Sequence, residues 1–186
     1  MIWIAAVILF SIVVSLVRGG KLSNLAAIEM HAWYLLFLGF GLQVVASALP
    51  DDRSTWAVTL LLTSYLLLLL VVWLNRAEPG IWIAGVGILM NFTVIALNQG
   101  MPVLTAAIEV AGGSPEIELG AKHVALNDGT HLPFLGDVIP LPGNVISLGD
   151  VFLAIGLGVF LEDQLRQPLR LFRHRVQGIP GSAADS

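Results

Sequence analysis

The chain has 186 residues, 56% of them hydrophobic and 12% charged, against about 25% charged in an ordinary soluble domain. A mean hydropathy of +0.86 and several long uncharged runs place it among polytopic membrane proteins. The absence of cysteine excludes disulfides, thiolate nucleophiles and Cys-ligated metals. A formal net charge of −4, with the only basic cluster in the C-terminal tail, leaves no footprint for nucleic acid.

Residues 2–17 form an uncharged run followed by Arg18 and Lys21. The run lacks a basic leader and a small-residue cleavage site, so it reads as a first span and not as a removed signal. Residues 18–30 follow as an interfacial connector, broken at Gly19-Gly20, with Ser23 or Asn24 able to cap a short helix. Residues 31–49, 56–74 and 81–97 are the second, third and fourth runs, separated by the polar turns at 50–53 and 75–80.

The connection at 98–144 is long and rich in turn residues. Within it, Asn127-Asp128-Gly129 between 121–126 and 130–135 predicts a β-hairpin. Residues 145–161 are the fifth run. Each run is about 17 to 20 residues, roughly enough to cross a hydrocarbon core of about 30 Å. Trp3, Trp33, Trp56, Trp73 and Trp82 fall near the run ends, where amphipathic rings sit at headgroup level. The expected fold class is therefore an all-α integral membrane protein with five transmembrane helices. Its membrane domain is read as 1–163, with the 98–144 loop inserted, and 164–186 as a basic tail whose end has a disordered composition.

Lys and Arg set the expected orientation. Arg18, Lys21, Arg76, Arg166, Arg170, Arg173 and Arg175 fall on one side, against Arg53 and Lys122 on the other. The positive-inside rule then places the N-terminus and the long loop outside and the C-terminus inside. The tail arginines read as an anchor to anionic lipid.

The stretch 133–155 resists reading as span or connector, because it carries Gly136-Asp137 and Gly149-Asp150. From Val151 to Leu161 eleven apolar or Gly residues precede Glu162. At 1.5 Å each that is roughly 16 Å, about half a bilayer core. A carboxylate at that depth costs several kcal/mol unless paired or hydrated. Asp150 therefore either caps a helix that starts inside the membrane, accepting backbone N–H groups, or lines a polar cavity.

Asp137 is either a turn residue or the partner of Asp150 in a carboxyl pair that shares a proton. Asp128 is a third candidate carboxylate, although Asp-Gly is also a preferred hairpin turn. His123 and His131 lack a further signature ligand, so no metal and no cofactor is expected. Asn91 and Asn98 are seven apart on one helix face, and Asn98 is the favoured partner for Asp150. The candidate ligand-binding residues are thus Asn91, Asn98, His123 and Asp150, and the candidate catalytic residues Asp150, Asp137 and Asp128.

Gly19 to Leu25, Asn98 to Val103, Lys122-His123, Thr130, Leu132 to Pro140 and Ser147-Leu148-Gly149-Asp150 together resemble an uncharacterised family of small bacterial membrane proteins, common in actinobacteria. The resemblance implies no activity, since that family is a domain of unknown function. It implies that the outer loop and the mouth of the last run are what the fold presents. The intervals between Asp128, Asp137 and Asp150 are also similar to those of lipoprotein signal peptidases, which are integral aspartyl proteases. Here Ala125 and Gly129 replace the Asn and Arg of that family's Asn-x-x-Asp-Arg motif.

The leading expectation is a non-enzymatic component of the bacterial plasma membrane, multi-pass, binding a ligand or partner through its outer face. Its partners would be the lipid bilayer and a membrane protein or second copy of the chain. A membrane aspartyl hydrolase and a small transporter or proton-coupled component are the alternatives.

Overall fold

The computed structural model describes residues 2–28, 30–50, 54–114 and 122–166. Six α-helices are found among them: α1 (Ile2–Val17), α2 (Tyr34–Ala48), α3 (Ser54–Leu74), α4 (Ile81–Asn98), α5 (Thr105–Val110) and α6 (Leu148–Arg166). Four strands accompany them: β1 (Met101–Val103), β2 (His123–Ala125), β3 (Asp137–Leu141) and β4 (Asn144–Ser147). Short 3-10 turns cover Leu22–Ala27 and Pro133–Leu135. The basic tail beyond Arg166 lies outside the described residues.

This corrects the expected fold class: the protein is not an all-α, five-span molecule. Among the described residues two helices, Thr55–Leu74 and Ile81–Asn98, are long and apolar enough to cross a membrane. With 16 and 15 residues, α1 and α2 reach only about 24 and 22 Å at 1.5 Å per residue, short of a core of about 30 Å. The 19 residues of α6 include Asp150, Glu162, Asp163 and Arg166. Apolar run length alone overstated the count. The predicted hairpin around Asn127-Asp128-Gly129 is likewise replaced by a mixed four-stranded sheet.

The helices pack in the spatial order α2, α3, α4, α6, α1. Small residues set the closest of these contacts. A Cβ at Gly87 would strike the Gly149 carbonyl, one at Gly156 the backbone of Ala84, and one at Gly80 the Gly156 carbonyl. The two backbones touch along an antiparallel seam of small residues, as in close helix pairs within lipid. On the far side of α6, Ser11 approaches Gly158 and Ser15 donates to the Glu162 carbonyl, so α1 runs parallel to α6.

Asparagines tie the helix ends. Asn75 exchanges two hydrogen bonds with the His31 backbone, and Asn24 Nδ2 donates to the Leu165 carbonyl at 2.8 Å.

The sheet has the order β2-β1-β3-β4, with β1 parallel to both neighbours and β3 antiparallel to β4. Gln99 turns left-handed at φ 57°, and the next residue, Gly100, donates its N–H to the Ile95 carbonyl at 3.2 Å, a Schellman-type helix stop. Because a Cβ at Gly100 would press on Val124, glycine there lets β1 lie close against β2. The hairpin of the sheet is β3–β4, closed at Pro142-Gly143 with Gly143 at φ 75°, the Pro-Gly order that a type II turn takes. Ala46, Ala57, Val58, Leu61, Val94, Ile95, Met101 and Leu135 form one core where helices meet the sheet; Val103, Ala107, Ile108 and Val145 form another beneath α5.

Candidate functional site

Ser147 is the last residue of β4 and the cap of α6. Its Oγ accepts from the Asp150 N–H at 3.0 Å, and its own N–H donates to Asp150 Oδ2 at 3.1 Å. The pattern is a reciprocal capping box, Ser-x-x-Asp, which satisfies two backbone donors at the start of a helix. The carboxylate also sits at the positive end of the helix dipole. Asp150 is therefore held in place at the junction of sheet and helix.

The capping box is bridged to α4. Asn91 is buried and donates through Nδ2 to Asp150 Oδ1 at 2.9 Å, while Ser147 Oγ donates to Asn91 Oδ1 at 2.9 Å. A Cβ at Gly149 would collide with Asn91 Oδ1, so glycine at 149 is what admits the amide. From α3, Tyr65 lies beside Asn91 and within electrostatic reach of Asp150 and Asp137.

Asp137 completes the cluster from β3. It stands opposite Val103 on one side and Ser147 on the other, with a register irregularity between Asp137 and Ile139 of the kind that re-aims a side chain. Its Oδ2 lies 4.0 Å from His123 Nε2, across β1. Its Oδ1 is buried and has no hydrogen-bond partner among the described residues. Burial above all, and then the charge of Asp150, hold the Asp137 carboxyl well above the usual carboxylate range, while Lys122 pulls the other way.

Of the residues singled out from the sequence, Asn91, Asp150, Asp137 and His123 come together. Asn98 does not join them. Its side chain clamps the His131 backbone, donating to the carbonyl at 2.9 Å and accepting from the N–H at 2.8 Å. Asp128 is exposed in a turn closed by Asn127 and Thr130 and takes no part in the hydrogen bonding of the cluster. Among the described residues no three His, Asp or Glu side chains gather as a metal-ligand set.

Three members escaped the sequence reading. Ser147 was legible from its Ser-x-x-Asp spacing. Lys122 was legible only as an isolated cation in an acidic loop. Tyr65 gave no signal within an apolar run.

A cavity of about 440 Å³ runs along α6 beside α1, with Asp150 and the apolar Leu141 and Ile146 of the β3–β4 hairpin at one end and Glu162 at the other. The carboxyl cluster is thus in contact with an apolar groove.

Comparison with known proteins agrees in extent with this unit. The chain is 29% identical over 160 residues to an uncharacterized protein of Thermotoga maritima, a match that covers 83% of this chain and 87% of that protein. No solved structure matches it. Residues 27–162 match the family of unknown function DUF5317, a stretch that takes in α2 through most of α6 and every residue of the cluster. The chain belongs to the DUF5317 family.

Proposed function

We propose that this protein is a membrane-embedded component that binds a small ligand at the Asp137–Asp150 pair. One observation carries the reading: two carboxyl groups from different elements lie within electrostatic reach, and the buried Oδ1 of Asp137 has no partner among the described residues. A buried polar atom without a partner costs free energy, and such an atom invites a ligand donor or an unusual proton. Support for membrane embedding comes from the helix faces. Phe10, Phe37 and Trp56 are about two-thirds exposed, at 69%, 70% and 67%, and Val44, Leu66 and Leu89 more than half. Exposed apolar surface on helix after helix far exceeds the single patches of soluble proteins.

The experiment has two steps. Membranes containing the full chain are washed with alkaline carbonate, and retention in the pellet is the expected result. They are then treated with dicyclohexylcarbodiimide, an apolar reagent that adds to protonated carboxyls, and the intact mass is read. One adduct, mapped to Asp137 and lost in Asp137→Asn, supports the reading. Release by carbonate, or labelling spread over surface carboxylates such as Asp128, contradicts it.

The hydrolytic alternative is favoured by one specific observation, the different environments of the two carboxyls. Asp137, whose carboxyl burial holds above the usual range, would serve as the acid, with Asp150 as the second carboxyl of the pair. Turnover of a fluorogenic ester or peptide in detergent, abolished in both Asp137→Asn and Asp150→Asn, would select this reading over simple binding.

A further inference from the structure

We infer that the groove between α1 and α6 holds one acyl chain of an anionic phospholipid, with the lipid headgroup against Arg18 and Arg166. Lipid in this groove presupposes helices standing in a bilayer, and so rests on the membrane reading above.

The walls are apolar: Phe10 and Val14 from α1 face Val151, Ala154, Ile155 and Val159 from α6. Glycine at 158, where a Cβ would meet Ser11 Oγ at 2.9 Å, keeps the two helices close at the floor. Asp150 and Glu162 mark the ends of the groove, and the helix between those positions rises about 18 Å at 1.5 Å per residue. One leaflet of a hydrocarbon core of about 30 Å is roughly that deep. A groove of this length accepts a chain that enters from one interface and stops near the middle of the membrane.

The Glu162 end has the character of a headgroup site. Arg18 Nη1 is bonded to Glu162 Oε1, and Arg166 Nη1 approaches the same oxygen at 3.4 Å. Two guanidiniums therefore share one carboxylate oxygen. Both side chains remain more than half exposed, at 58% and 54%, and each guanidinium carries five donors suited to a phosphate. Lys21 is brought to the same level by its backbone N–H, which donates to the Leu165 carbonyl at 3.0 Å. Of the neighbouring carboxylates, Glu78 is engaged by Gln164 Nε2 at 2.8 Å, and Asp163 follows Glu162 on α6. A phosphodiester would complete the pairing of the arginines. At the other end Asp150 is already satisfied by Asn91 and Ser147, which makes it a polar stop and not a second headgroup site.

The test is native mass spectrometry of the full chain purified in a mild nonionic detergent, with phosphatidylglycerol or phosphatidylcholine of matched chains added. The wild type should retain phosphatidylglycerol at about tenfold lower lipid concentration than phosphatidylcholine, given the usual strength of a cation near an anionic headgroup. Ala154→Phe, which fills the groove, should lose bound lipid of both kinds, and Val14→Phe on the opposite wall should do the same if the first variant fails to fold. Arg18→Gln combined with Arg166→Gln should erase the preference while leaving chain binding. Equal retention of the two lipids by the wild type, lipid binding that survives both groove-filling variants, or complete displacement by inorganic phosphate would overturn the inference. Loss of the protein from carbonate-washed membranes would instead strike the membrane reading itself.

Discussion

Asn91 and Asp150 meet where the middle of α4 crosses the start of α6: the amide donates to the carboxylate at 2.9 Å, and the same amide accepts from Ser147 at 2.9 Å. One side chain thereby joins a helix cap to its neighbouring helix. Three groups that would each be costly to bury alone satisfy one another.

Asn91→Ala should lower stability by about 1–3 kcal/mol, because it strands the partner atoms on Asp150 and Ser147. Ser147→Ala should cost about 1 kcal/mol through loss of the cap. The double variant should lose less than the sum, with a coupling of about 0.5 kcal/mol or more. Thermal melting of the four proteins in one detergent reads the cycle, and strict additivity would show that the two residues act independently.

The glycine seam gives a sharper contrast. Gly149→Ala and Gly156→Ala each place a Cβ against Asn91 or the Ala84 backbone, and overpacking of this kind costs about 1–3 kcal/mol or more. Gly41→Ala, on α2, meets nothing within 4 Å and should be neutral or stabilising by up to about 1 kcal/mol. Melting temperatures of the three variants check the order.

Asn98→Ala should release the clamp on His131 without touching the cluster. The expected outcome is a loss of about 1–2 kcal/mol at most, with carbodiimide labelling of Asp137 unchanged. In Asn91→Ala the labelling should change, because Asp150 loses a partner beside it. Equal labelling in both variants would contradict the assignment of Asn91 to the cluster.

Stability should depend on pH through Asp137. Its carboxyl is raised in the fold by burial and by Asp150, so between the unfolded value of about 3.9 and the raised native value the folded state binds more protons. Stability contributed by this group is present below that window and falls as pH rises through it. Asp137→Asn, which keeps the shape of the neutral acid, should flatten the profile and exceed the wild type at neutral pH. Lys122 lowers the Asp137 value through its charge and His123 Nε2 lies 4.0 Å from Asp137 Oδ2, so His123→Gln in the same series is the control for that neighbour. A profile unchanged by Asp137→Asn would contradict the assignment.

The helices were legible because long apolar runs leave little choice. The sequence run at 2–17 coincides with α1, and 81–97 falls one residue short of α4. Being long and apolar enough to cross a membrane is a stricter property than being a helix, and among the described residues α3 and α4 meet it. The sheet was illegible for a different reason. β1 and β2 are three residues each and pair in parallel across a long connection, and parallel pairing leaves no local signature of the kind a tight hairpin has. Asn-Asp-Gly looked like such a hairpin, yet the chain after it enters a 3-10 turn at Pro133–Leu135.

Within the site, burial depth singled out Asp150, and the same depth made Asn91 available to it. Asn98 shares a helix face with Asn91 but stands two turns further along, where the His131 backbone takes it. Asp137 was ambiguous because its role depends on a strand register, which spacing along the chain does not fix.

The most direct test of the Asp137–Asp150 pair is infrared spectroscopy of the full chain in lipid nanodiscs through a pH series rising from the ordinary carboxylate range, comparing wild type with Asp137→Asn and Asp150→Asn. The expected result is a carbonyl band of a protonated carboxylic acid in the wild type that persists above that range, disappears in Asp137→Asn and shifts in Asp150→Asn. A wild-type spectrum without that band, or a band that survives Asp137→Asn, would contradict the pair as the centre of the site.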